Sequence, residues 1–180
     1  MKFPKYLITV SGARGSGKTT FAEALAQELK VKRMGFGDEV RYRAAQQGLG
    51  DSREVLQALG ERLVDESPRE FCEAVLLRAN YRPGQTLVIE GVRHVEILQV
   101  LREIVAPQPV FHVHLGSTES VRLARLQKRN RYGDQISSAA DDHSTEVQLK
   151  DQLPVAADAV LDGDLDVAAL VRLAVQLLEH

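Results

Sequence analysis

The chain is short of cysteine, of net charge and of long apolar runs, and each shortage removes a class of protein. Its single cysteine, Cys72, sits in the apolar stretch "EFCEAVLL" and has no partner for an intrachain disulfide or a cysteine-based zinc site. It reads as a core residue. Lys and Arg number 23 against 25 Asp and Glu, a formal net charge of −2. No overall basic field would therefore hold the protein on nucleic acid, and only a local basic stripe would offer such a partner a place. No window approaches the ~20 apolar residues of a membrane span. The opening "MKFPKYLITV" has a short apolar run followed at once by a glycine-rich stretch, so it reads as a first strand and not as a signal peptide. A soluble, cytoplasmic protein is expected, with no membrane partner. Internal repeats and low-complexity linkers are also missing. What remains is 180 residues, 44% hydrophobic, enough for one domain over 1–180 with a sizeable core.

Short apolar runs alternate with amphipathic stretches, which points to an α/β class. The strand candidates are "YLITV" (6–10), "KRMGF" (32–36), "TLVIE" (86–90), "VFHVHL" (110–115) and "DAVLD" (158–162), each short enough to lie buried in a five-stranded parallel sheet. Between them, Phe21, Ala22, Leu25 and Leu29 recur at helical spacing, as do Leu56, Leu59, Leu63 and Val64 behind Asp51 or Ser52 as N-cap. Ser67-Pro68 ends that second helix and starts another, with Phe71, Val75, Leu76 and Ala79 on one face, before Pro83-Gly84 turns the chain. "DVAALVRLAVQLLEH" supplies a last helix.

Within this frame stands "VSGARGSGKTT", where Gly12-x-x-x-x-Gly17-Lys18-Thr19 follows a strand and opens a helix. That context is the one a phosphate-binding loop requires. Gly12, Gly15 and Gly17 permit backbone conformations that turn successive N–H groups inward onto phosphate oxygens, and the helix N-terminus adds its positive end. Ser16 lies within the same turn. Lys18 is expected to bridge the terminal phosphates of ATP, the Thr19 hydroxyl to join the shell of a Mg²⁺, and Thr20 to contact the α-phosphate. Arg14 has two readings, contact with the γ-phosphate or exposure to solvent.

Three further stretches follow in the order found in nucleoside monophosphate kinases. "MGFGDEVRYRAA" carries Gly37-Asp38-x-x-Arg41, which resembles the Gly-Asp-x-x-Arg after the second strand of adenylate-kinase-like enzymes. The resemblance implies a phosphate-clamping role for Arg41; a helix beginning near Asp38 puts Asp38 and Arg41 on one face. "TLVIEGVRHVEIL" has the shape of a Walker B strand and is similar to the Asp-Gly-Val-Arg of dephospho-CoA-kinase-like and deoxynucleoside-monophosphate-kinase-like proteins, with Glu90 in place of Asp. Glu90 is then placed to hold a Mg²⁺-bound water, Arg93 to reach the acceptor phosphate beside Arg41, and Glu96 on the surface. "ESVRLARLQKRNRYGDQ" carries Arg122, Arg125, Lys128, Arg129 and Arg131. Arg125 resembles the family's helix-end arginine, Arg129 and Arg131 are candidates for a lid over about 129–146 that closes on the transferring phosphoryl group, and Arg122 and Lys128 read as solvated.

The lid lacks cysteines for zinc, and only Lys150 stands where many adenylate kinases carry a second basic cluster. Gly163 falls in the segment that resembles the loop near the adenine base. His112 and His114 share a strand face and read as a satisfied core pair rather than a metal pair, while His94 serves either the acceptor or a helix start. The expectation is a three-layer α/β/α P-loop kinase with ATP and Mg²⁺ as cofactors and a small phosphorylated acceptor, a nucleoside or deoxynucleoside monophosphate, bound over about 37–82. Its catalytic residues are Lys18, Asp38, Arg93, Arg129 and Arg131. Two alternatives stand beside it. Asp38 acting as a base would suit a hydroxyl acceptor of the dephospho-CoA kind, and the basic 122–131 segment would suit an RNA-associated ATPase or nucleotide switch.

Overall fold

The computed structural model describes residues 5–129 and 144–179. Every one of the apolar runs becomes a strand: β1 Leu7–Gly12, β2 Lys32–Gly35, β3 Leu87–Val92, β4 Val110–Gly116 and β5 Ala159–Asp162. They pair in parallel throughout, in the order β2-β3-β1-β4-β5. Parallel neighbours need crossovers, and helices provide them: α1 Lys18–Leu29, α2 Phe36–Gln46, α3 Arg53–Glu66, α4 Pro68–Arg78, α5 Val95–Val105, α6 Glu119–Arg129, α7 Ser144–Val155 and α8 Val167–Leu178.

The sheet is covered on both faces, which makes three layers. Ile8, Val10, Val88, Val113, Leu115 and Leu161 pack on α1 and α8 through Phe21, Leu25, Leu170 and Ala174. On the other face Leu7, Leu87, Ile89 and Met34 pack under α2 to α5, with Leu153 of α7 among them. Cys72 belongs to this second core, where burial pushes its thiol up to about 12, so it is inert at neutral pH.

Local chemistry sets most element ends. The Ser52 hydroxyl, not Asp51, caps α3 by accepting the Val55 N–H at 3.4 Å, and Pro68 occupies the first turn of α4. Two ends differ from expectation. Strand β2 stops at Gly35 and α2 begins at Phe36, two residues before Asp38, because the Asp38 carboxylate reaches back to accept the Gly35 N–H at 3.0 Å. Strand β3 runs on to Val92, since Gly91, with φ +86, takes up an extra residue where pairing with β1 shifts from Val10–Glu90 to Ser11–Val92.

Two buried polar groups hold this frame together. Thr9 and Ser11 of β1 face His112 and His114 of β4. Thr9 Oγ1 lies 2.8 Å from His112 Nδ1, and Ser11 Oγ lies 3.0 Å from His112 Nε2 and 2.8 Å from His114 Nδ1. The pair is a satisfied core feature, as its alternation suggested. Burial pulls His112 down to about 3 and lowers His114 as well, so both rings are neutral. Glu39 of α2 has a side chain only 3% exposed. It accepts from Arg43 at 2.8 Å and from Arg78 of α4, and Arg78 lies over the Tyr42 ring.

Candidate functional site

The site gathers at the carboxyl edge of the sheet, where strand ends of a parallel α/β fold leave a crevice. Between β1 and α1 the chain turns through Gly15 at φ +81 and Gly17 at φ +91. Gly17 is the N-cap of α1 in the left-handed conformation, which no larger side chain adopts cheaply. Lys18 Nζ donates to the Ala13 carbonyl at 3.4 Å across the loop. The buried Ser16 hydroxyl has no hydrogen-bond partner among the described residues, a spare donor inside the turn. Gly12 ends β1 just before this turn, Arg14 lies within it, and Thr20, the third residue of α1, is exposed.

Beside the loop, the register places Glu90 next to Val10 on the α1 side of the sheet. The Thr19 hydroxyl donates to Glu90 Oε2 at 3.3 Å. The other carboxylate oxygen, Oε1, accepts from Arg33 Nη1 at 3.2 Å, and that same nitrogen lies 3.4 Å from Asp38 Oδ2. Asp38 Oδ1 in turn accepts from Arg41 Nη2 at 2.6 Å. All three charges of the middle of this chain meet above Gly35: a Cβ there would lie 2.8 Å from both Asp38 Oδ2 and Glu90 Oε1. The result is one continuous line, Thr19–Glu90–Arg33–Asp38–Arg41, from the loop to α2.

Sequence reasoning missed Arg33. It lacks a motif of its own, but it alternates with Gly35 in β2, and Gly35 pairs with Glu90, so the strand period alone puts it on the face of Glu90. Arg93 follows β3 by one residue on the same edge, and His94 is the N-cap residue of α5. Glu96 is exposed.

The basic segment needs a correction. Arg122, expected in solvent, is 8% exposed, and its Nη1 donates to the Arg14 carbonyl at 3.2 Å. Arg125 Nη1 donates to the carbonyls of Ser16 at 3.1 Å and Gly15 at 3.4 Å. Helix α6 therefore packs behind the loop, and its inner arginines face carbonyls rather than water. Lys128 is exposed as expected. The side chain of Arg129, all of Arg131 and the greater part of the 129–146 segment lie outside the described residues.

On the far side, Gly163 after β5 sits against the loop, where a Cβ would lie 2.9 Å from the Ser16 carbonyl oxygen. Its neighbour Asp164 accepts from the Ser117 hydroxyl and from Thr118 Oγ1 at 2.7 Å. These hydrogen bonds hold its carboxyl below the usual range. Among the described residues, no group of three His, Cys, Asp or Glu side chains gathers in a way that could hold a metal, and no helix is long and apolar enough to cross a membrane.

The family profile for the AAA domain matches residues 8–147. The chain belongs to this family. Among its relatives are UPF0200 proteins: one from Aeropyrum pernix is 32% identical over 132 residues, covering 73% of this chain and 69% of that one. Another, from Pyrobaculum aerophilum, is 30% identical over 136 residues, covering 73% and 70%. Solved structures share the fold over nearly the whole length. A shikimate kinase from Aquifex aeolicus superposes with a TM-score of 0.64 at 17% identity, covering 96% of this chain and 95% of that one. A gluconokinase from Sinorhizobium meliloti superposes with a TM-score of 0.59 at 23% identity, covering 99% and 93%. The AAA-domain chain thus has the α/β P-loop NTPase-like fold these kinases have.

Proposed function

We propose that the protein is an ATP-dependent kinase that transfers a γ-phosphoryl group to a small phosphorylated acceptor, a nucleoside or deoxynucleoside monophosphate. The observation that carries this reading is the charged line from Thr19 through Glu90, Arg33 and Asp38 to Arg41. It joins a phosphate loop to an arginine on the next strand's helix, as a two-substrate site requires. The donor set fits the cofactors. The glycine turn, the α1 N-terminus and Lys18 suit a triphosphate. Thr19 and Glu90 offer two oxygens to a Mg²⁺ that would take its other ligands from phosphate and water. Bound there, the ion would neutralise charge between the β- and γ-phosphates.

The chain's own residues do the rest. Lys18 holds the terminal phosphates, Arg41 and Arg93 orient the acceptor's phosphate, and Arg129 and Arg131 stabilise charge on the transferring group. Arg41 exchanges its bond to Asp38 for one to the acceptor. Asp38 accepts from the Gly35 N–H and from Arg41 and pairs with Arg33, and so aims both arginines before the acceptor binds; a phosphate acceptor needs no base.

A hydroxyl acceptor is the second reading, favoured by the names of the fold neighbours, kinases of gluconate, sugar and shikimate. Of the basic 122–131 segment that would suit an RNA-associated ATPase, Arg122 and Arg125 are turned to the loop and Lys128 is exposed. Two variants separate the acceptor readings once an acceptor is found. Arg41→Ala should raise the acceptor KM on the order of a hundredfold, the loss of a charge-assisted contact of roughly 3 kcal/mol. Asp38→Asn should keep measurable turnover. Abolished turnover in Asp38→Asn with intact ATP binding would instead establish the hydroxyl acceptor.

A further inference from the structure

Three consecutive carbonyls of the phosphate loop, those of Arg14, Gly15 and Ser16, point outward to guanidinium groups of α6. Arg122 stands apart among these partners. It is buried, and among the described residues its side chain's only hydrogen bond is to the Arg14 carbonyl and no carboxylate pairs with it. Its backbone is pressed against the same turn, since a Cβ on Gly15 would lie 2.8 Å from the Arg122 carbonyl oxygen and 3.1 Å from its Cα. A buried cation with no counter-charge is unfavourable. The place where an anion would compensate it is the inner side of the loop.

We infer that Arg122 is a positioning residue for polyphosphate binding. It fixes the outward direction of the Arg14 carbonyl, and a planar peptide with its C=O held outward carries the following N–H, that of Gly15, on the opposite side. A guanidinium on the carbonyl also polarises that peptide, which strengthens the N–H as a donor. The unpaired charge adds to the loop's attraction for anions without touching the nucleotide. The effect belongs to the phosphates and is blind to base and sugar.

The inference rests on the reading of the loop as a phosphate site, and direct binding tests both. Calorimetry with ATP and with inorganic tripolyphosphate, each without acceptor, gives two affinities for the wild-type chain and for Arg122→Met. Both ligands should bind about tenfold more weakly to the variant, equivalent to ~1.4 kcal/mol, and Arg122→Lys should recover most of the loss because its ammonium can still donate to the Arg14 carbonyl. The acceptor KM should stay unchanged. Affinities within twofold of wild type for both ligands, or a loss for ATP that tripolyphosphate does not share, would overturn the inference. If Arg122→Met does not fold, Arg122→Gln reads the same pair: a shared loss supports the role, and no loss overturns it. A wild-type chain that binds both ligands and transfers phosphate to nothing sinks the kinase and leaves this role standing; one that binds neither sinks both.

Discussion

Replacing Gly35 by alanine separates the charged line from the fold that carries it. The backbone there, at φ −112 and ψ 140, suits alanine as well as glycine. As the N-cap of α2 the change costs at most about 1 kcal/mol. For a domain of this size that shifts Tm by roughly 2–4 °C. The new methyl, however, lands 2.8 Å from Asp38 Oδ2 and from Glu90 Oε1. Both atoms are ends of side chains, so they retreat rather than break the sheet. Glu90 cannot retreat without leaving the Thr19 hydroxyl, now 3.3 Å away, and Asp38 cannot without turning Arg41. A displacement approaching 1 Å at a reacting centre costs up to about a hundredfold in rate. Urea melts and initial rates at varied Mg²⁺ should therefore show a nearly unchanged stability, a raised KM for Mg²⁺ and a kcat/KM lowered at least about tenfold. A rate within twofold of wild type in a folded Gly35→Ala protein would refute the reasoning.

Two further changes act on stability. His112, pulled down to about 3 by burial, binds fewer protons in the folded chain than in the unfolded one. Unfolding is thus favoured as pH falls below the unfolded value of about 6.5, and stability rises with pH across that window. Between pH 6.5 and 5 the native protein should lose on the order of 1–2 kcal/mol from this residue; urea midpoints should show His112→Gln losing less over that range, and equal slopes would contradict the account. Glu39→Ala removes the carboxylate shared by Arg43 and Arg78. Because both arginines can turn to water, the expected loss is about 2–3 kcal/mol, below the full figure for a broken buried pair. Specific activity of the folded fraction should be unchanged, and a midpoint equal to that of the native chain would show the cluster to be inert.

What could be read from the sequence was what is encoded locally. Four of the five strands announce themselves by an apolar run, β2 with its Lys32 and Arg33 being the exception, and Gly15, Gly17, Lys18 and Thr19 lie close together in the chain between a strand and a helix that confirm their setting. Asp38 and Arg41 are three residues apart on one helix and meet as that spacing implies. The misses depend on register and on distant partners. Arg33 matters because β2 pairs with β3 so that Gly35 faces Glu90, and the gap above Gly35 shows only when three strands and helices are assembled. Arg122 looked solvated because a helix pattern counts apolar residues, whereas its partner is a backbone carbonyl 108 positions earlier. Gly91 reads as part of a motif, yet its bulge is what extends β3 beyond Glu90.

The central claim is transfer to an acceptor, so the most direct measurement follows the γ-phosphoryl group itself. The native protein is incubated with γ-labelled ATP and Mg²⁺ and a panel of nucleoside and deoxynucleoside monophosphates, dephospho-CoA, gluconate and shikimate, and the labelled products are separated. Label on one or a few monophosphates, lost in Lys18→Ala, is the predicted result. Label on a hydroxyl of dephospho-CoA, gluconate or shikimate alone, or release as inorganic phosphate with every acceptor, would contradict it.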